Sequence, residues 1–121
     1  MAKRYPFSSQ NVAVMQAYTA STIKLDQNAV TSGRVKYLRG IVINNTNTTT
    51  VGILQVYDSN TEGANPTVTL QRLTVVIGPS ETVVLEFPAP GIKFITGIVG
   101  AMASAAGESP AYGITVWGYE E

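Results

Sequence analysis

The chain has 121 residues, a length that fits one domain with a single core. Its eight basic and eight acidic side chains cancel, which argues against a nucleic-acid partner, because displacing counterions from phosphates needs a surplus of Lys and Arg. With no cysteine and no histidine, disulfides, thiolate metal sites and Ser–His or Cys–His catalysis are excluded.

Val, Ile and Thr together number 37, against 18 for Leu and Ala. β-Branched side chains are stiff at their first torsion and pack well on a pleated surface, so the excess predicts an all-β fold. The N-terminus, MAKRYPFSSQ, has two charges but no apolar stretch behind them, and reads as carrying no secretory signal. Residues 1–33 form the first predicted unit, an extended N-terminal arm with one or two short strands, around Val12–Met15 and Thr22–Leu25. From Arg34 the pattern sharpens into apolar runs at 35–44, 51–58, 67–77, 82–87, 92–101 and 111–119. The separators NNTNTTT, SNTEGANP, GPSE, PAPG and SAAGESP are rich in turn-formers. Six runs at this spacing predict an antiparallel β-sandwich, jelly-roll-like, over residues 34–121.

Within these runs, 82–87 alternates cleanly, with Val83, Leu85 and Phe87 on one face and Thr82, Val84 and Glu86 on the other. Residues 67–77 lose phase: Val68 and Leu70 share one parity, Leu73, Val75 and Ile77 the other. Either a bulge resets the register near Arg72, or a neighbouring subunit covers the second face. The longest apolar or glycine run, Gly97–Ala103, is far short of the roughly 20 residues a spanning helix needs, and no membrane partner is expected. Gly97 and Gly100 read as close strand packing or a bulge. The sequons at Asn44 and Asn47 read as a polar turn.

Three features invite a functional reading. The stretch YDSNTEG, residues 57–63, looks like the start of a calcium loop. Counted from Asp58, oxygen ligands fall at Asn60 and Glu62 and glycine at the sixth position, but the twelfth is Thr69 rather than Glu. A turn is the simpler reading, with a weak exposed cation site at Asp58, Asn60 and Glu62 as the alternative. Asp26, Asp58, Glu62, Glu81, Glu86 and Glu108 fall in predicted turns or on solvent faces. They read as solubilising charge rather than a glycosidase-like pair, so no enzyme activity and no cofactor are expected. Trp117 and Tyr119 share a parity, and with Tyr57 could make a sugar-stacking platform; core or interface packing is the simpler use of such rings.

The order of motifs adds a resemblance. "YLRGIVINNTNTTTVGILQVYD", "GPSETVVLEFPAPGIKFITGI" and the terminal "ITVWGY" resemble, over residues 37–119, a group of small tailed-bacteriophage virion proteins. The resemblance implies a β-sandwich that serves as a structural part of the particle, a capsid decoration (cement) protein often placed as trimers on the shell, with no catalytic residues. It implies a homo-oligomer, most simply a homotrimer, that binds the major capsid protein or other virion proteins after synthesis in the host cytoplasm. Leu73, Val75, Ile77, Trp117 and Tyr119 are the interface candidates. The arm, Met1 to Gly33, departs from the group in length. A carbohydrate- or receptor-binding sandwich of a tail or fibre is the alternative.

Overall fold

A computed structural model describes residues 3–14, 22–62, 68–104 and 111–121. Nine strands run through them: β1 (Tyr5–Val14), β2 (Ile23–Lys24), β3 (Lys36–Asn45), β4 (Gly52–Asp58), β5 (Gln71–Ile77), β6 (Thr82–Glu86), β7 (Ile92–Phe94), β8 (Ile98–Ser104) and β9 (Ala111–Glu120). A single 3₁₀ turn, Val68–Leu70, precedes β5. One sheet has the order β1-β9-β3-β6, with β7 continuing β6 along the same side of β3; the other has the order β2-β8-β4-β5. Every pairing is antiparallel.

Taken in chain order, β1 pairs with β9, β2 with β8, β3 with β6 and β4 with β5. That is one long antiparallel ribbon wrapped over itself and sealed by the β3–β9 and β4–β8 ladders. The result is a jelly-roll β-sandwich. The N-terminal segment supplies β1, paired along all its ten residues with β9, and β2. It also sends Leu25 into the core at 1% exposure.

The core lies between the sheets. Leu38, Ile41, Ile43, Ile114 and Val116 face Leu54, Val56, Val75, Ile77 and Ile98. Burying each Leu or Ile contributes about 1.5–3 kcal/mol. Val83, Leu85 and Phe87 pack against this cluster while Thr82, Val84 and Glu86 point outward, as the alternation predicts. The phase loss in 67–77 has a local cause. Val56 pairs with Leu73 and Tyr57 with Gln71, so Arg72 is the extra residue of a bulge, and the 3₁₀ turn lies just before it. With the bulge in place one face of β5 is buried and the other open, Val76 being 61% exposed.

The run 92–101 is not one strand. It divides into β7 and β8, which belong to different sheets. The break at Ile95–Gly97 is fixed by the carboxylate of Asp58, 37 residues upstream of Ile95. Gly97 fits there because a Cβ would overlap the Ser59 carbonyl, and at Gly100 a Cβ would press on Leu25 and Leu54. The NNTNTTT tract is a turn held by its own amides. Asn45 Nδ2 donates to Thr50 O (2.9 Å) and Gly78 O (3.1 Å), and Asn47 Oδ1 accepts from the N–H of Thr49 and Thr50 (2.9 Å each).

Candidate binding face

Asp58 ends β4 and is 3% exposed. Its carboxylate accepts hydrogen bonds from the backbone N–H of Ile95 (3.0 Å), Thr96 (2.8 Å) and Gly97 (3.3 Å), and Arg72 Nη2 lies 3.7 Å away. The lone pairs that a cation would need are therefore spent on bending the chain between β7 and β8. Asn60 is exposed, and the exposed Glu62 accepts from the Lys24 N–H (3.0 Å). The calcium-like stretch is thus a structural corner: Asp58 joins the two sheets, and Glu62 holds the turn to β2. No group of three or more His, Cys, Asp or Glu residues suited to a metal occurs among the described residues.

The expectation that the acidic side chains are solubilising surface charge also needs correction. Asp26 is buried against Lys36 Nζ, which donates as well to Asn28 O (2.6 Å) and lies 5.1 Å from the Phe7 ring. Glu120 accepts from the Thr31 N–H (3.0 Å) and from Arg34 Nη1 (3.3 Å). Burial alone pushes the Glu120 carboxyl up. The Thr31 backbone and hydroxyl, Arg34 and the charge of Lys36 outweigh it and hold the group below its ordinary value. Each buried carboxylate is thus tied to a partner. Glu81 and Glu86 are exposed, and Glu108 lies outside the described residues.

The interface candidates divide. Val75 and Ile77 are 6% and 0% exposed, and Leu73 packs against the same core. Their parity is the inward one, so their apolar surface is consumed within the subunit. Tyr57 and Trp117 stand in different sheets. Tyr57 packs with Val99, Ala101 and Leu70, and donates from its hydroxyl to Gln55 Oε1 (3.0 Å), so it forms no platform with Trp117. Tyr119 does lie on the same outer face as Trp117. It packs against Tyr37 at a tilt of 34°, ring centroids 5.3 Å apart, beneath the guanidinium of Arg4 at 4.8 Å.

Around Trp117 the outer face forms an open groove of ≈ 490 Å³, lined by Arg39, Glu86, Phe87, Pro88 and Trp117. A double irregularity builds it. On the β9 side Leu38 pairs with Gly118 and Gly40 with Trp117, leaving Arg39 as a bulge. On the other side Glu86 pairs with Gly40 and Ile92 with Leu38, so residues 87–91 loop out opposite the same arginine. Phe87 N–H donates to Arg39 O (2.9 Å), and Arg39 Nε donates to Phe87 O (3.1 Å). Gly91, at φ 105°, packs its Cα against the Leu38 carbonyl and the Arg39 stem, where any side chain would collide. Gly40 is equally constrained, since a Cβ there would overlap the Trp117 ring. The only sequence-level trace of this arrangement is "LRG" interrupting an apolar run.

Apolar side chains left in solvent lie elsewhere. β5 and β6 are edge strands of the two sheets, and the four residues 78–81 join them, so both edges lie on one side of the sandwich. Val76 on β5 and Val84 on β6 are 61% and 59% exposed.

No protein-family model matches the chain, and no curated protein is recognisably similar to it in sequence. A solved structure, "Crystal structure of PirA", is similar with a TM-score of 0.41 and 11% identity, over 97% of this chain and 94% of that one. A likeness of this size carries no argument about fold or activity.

Proposed function

We propose that this chain is a non-enzymatic structural component of a bacteriophage particle, a capsid decoration subunit that binds and stabilises the head shell. The observation that carries the docking role is the open side of the sandwich. Two edge strands lie together there, each with an exposed valine. Between the Arg72 bulge that opens β5 and the Glu86 that ends β6, neither edge carries a Pro, a bulge or a charge: residues 73–77 and 82–85 stay open to strand addition. A second copy of the chain, or a segment of the major capsid protein, can add to such edges through backbone hydrogen bonds. Engagement of the buried carboxylates in structural bonds supports a role without acid–base chemistry. The motif order along residues 37–119 supports the particle as its setting, with trimers on the shell as the expected arrangement.

The test is the protein's copy number and position in purified particles, read by mass spectrometry and imaging. Hundreds of copies spread over the head, and capsids that survive greater heat once the protein is added, are the expected outcome. Absence from particles would refute the proposal, and a handful of copies at one vertex would move the protein to the tail or portal.

A further inference from the structure

We propose that the groove at the β3 bulge is a binding site for a neutral saccharide, in which the Trp117 ring meets the C–H face of a pyranose while Arg39 and Glu86 bind adjacent hydroxyls. The inference goes beyond the particle role and is tested on the isolated protein.

Arg39 stands at the bulge of β3. Reciprocal bonds with Phe87 and the close approach of Gly91 fix its stem, yet its two Nη groups have no ion pair or hydrogen bond among the described residues. Arginines elsewhere in the fold are employed: Arg34 on Glu120, Arg72 on Asp58, Arg4 over Tyr119. A guanidinium held rigid with its donors pointing nowhere has already lost the freedom that binding would remove. Bulges that aim a side chain in this way are common beside binding sites.

The groove's other walls select the ligand class. Glu86, on the next strand and paired with Gly40, carries a carboxylate with no partner among the described residues. Opposite charges in one groove disfavour an anion and a cation alike, since either ligand would meet a like charge. A vicinal diol satisfies both, accepting from the arginine and donating to the carboxylate. Trp117 supplies the apolar wall, held in place by its seat on Gly40. Pro88 and the Phe87 backbone close the far side, and the open groove of ≈ 490 Å³ admits a sugar ring.

Trp117 is the only tryptophan in the chain, so its fluorescence reports on this groove alone. The probes are the methyl glycosides of glucose, galactose, mannose and N-acetylglucosamine, titrated into the purified full chain. At least one should change the emission saturably, with millimolar affinity. Glu86→Ala and Arg39→Met should each weaken that affinity about tenfold or more, since each removes hydrogen bonds to a charged group. Glu86 is exposed and unpartnered, so its variant keeps the test valid if Arg39→Met misfolds. Glucuronate should bind more weakly than methyl glucoside. No saturable response to any of the four glycosides overturns the proposal, as does an affinity unchanged in both variants. Tighter binding of glucuronate would instead make the groove an anion site. Saturation by a proline-rich peptide alone would make it a peptide-docking site.

Discussion

Replacing Asp58 with alanine should cost far more stability than a turn residue normally does, and the structure allows the cost to be worked out. The substitution strips the acceptor from three backbone N–H groups, at 3.0, 2.8 and 3.3 Å, and leaves Arg72 without its carboxylate. A hydrogen bond to a charged group is worth about 1.5–3 kcal/mol, and a buried donor left unmade costs a similar amount. Ile95 and Thr96 are exposed residues, so water can reach their amides in part, whereas Gly97 is buried. Counting Gly97 in full and the other two at reduced weight gives about 3 kcal/mol. For a domain of this size that is roughly 10 °C in melting temperature. Asp58→Asn keeps one oxygen acceptor, for Thr96 and Gly97, but turns an N–H₂ group toward Ile95. It should fall between wild type and alanine. Urea denaturation followed by Trp117 emission gives the free energies, and calcium is titrated in parallel. A loss under about 1 kcal/mol in Asp58→Ala would refute the cap as the cause of the β7–β8 bend. A calcium-dependent rise in the wild-type midpoint, lost in Asp58→Ala, would return the stretch to the metal reading.

Lys36→Met should destabilise by about 3–5 kcal/mol, because it leaves the Asp26 carboxylate buried without its partner; Lys36→Met combined with Asp26→Leu should recover at least half of the loss in the same urea assay. Glu120→Gln should lower stability at neutral pH. The folded-state pKa of Glu120 lies below the ordinary 4.5, so its contribution is present above that value and lost as pH falls through the folded one; the gap between wild type and variant, measured by denaturation across acid pH, should close in that direction. Val84→Lys and Val76→Lys replace side chains already in solvent, so they should leave the melting temperature within a few degrees and reduce self-association in sedimentation runs, and binding to capsids.

What the sequence made legible was whatever is encoded within one strand. Thr82–Phe87 declares its two faces because every second side chain meets the core. The phase change in 67–77 marks an irregularity near Arg72 that sequence alone divides between a bulge and a second covered face, and the register makes it a bulge. What it hid depends on partners distant in the chain. Asp58 sits in a run of turn residues, and nothing local says that its carboxylate binds amides at 95–97. Asp26 looks like another loop acid until Lys36 arrives ten residues later. The strand β1, YPFSSQNVAV, has no clean alternation, yet it pairs along its whole length with β9. A ladder of backbone bonds leaves no mark on side-chain pattern. Trp117 and Tyr119 share a parity in the sequence and one face in the fold, but the groove neighbours of Trp117, Arg39 and Glu86, come from two other strands and only the register brings them together.

The same register separates the two binding roles. Docking through the open side uses the edges of β5 and β6, where Val76 and Val84 stand free. Saccharide binding uses the outer face at the bulge, where Gly40 aligns Glu86 on one side with Trp117 on the other. Val84 pairs with Val42, two residues along β3 from Gly40, and does not line the groove. Glu86 is the last residue of β6 and the one side chain close to both. If strand addition at β6 covers Glu86, a glycoside should bind the free subunit more tightly than the subunit on a particle. If the edge used is β5, the groove stays open and the affinities should agree. Titrating one glycoside against free protein and decorated capsids therefore tells which of the two edges is occupied.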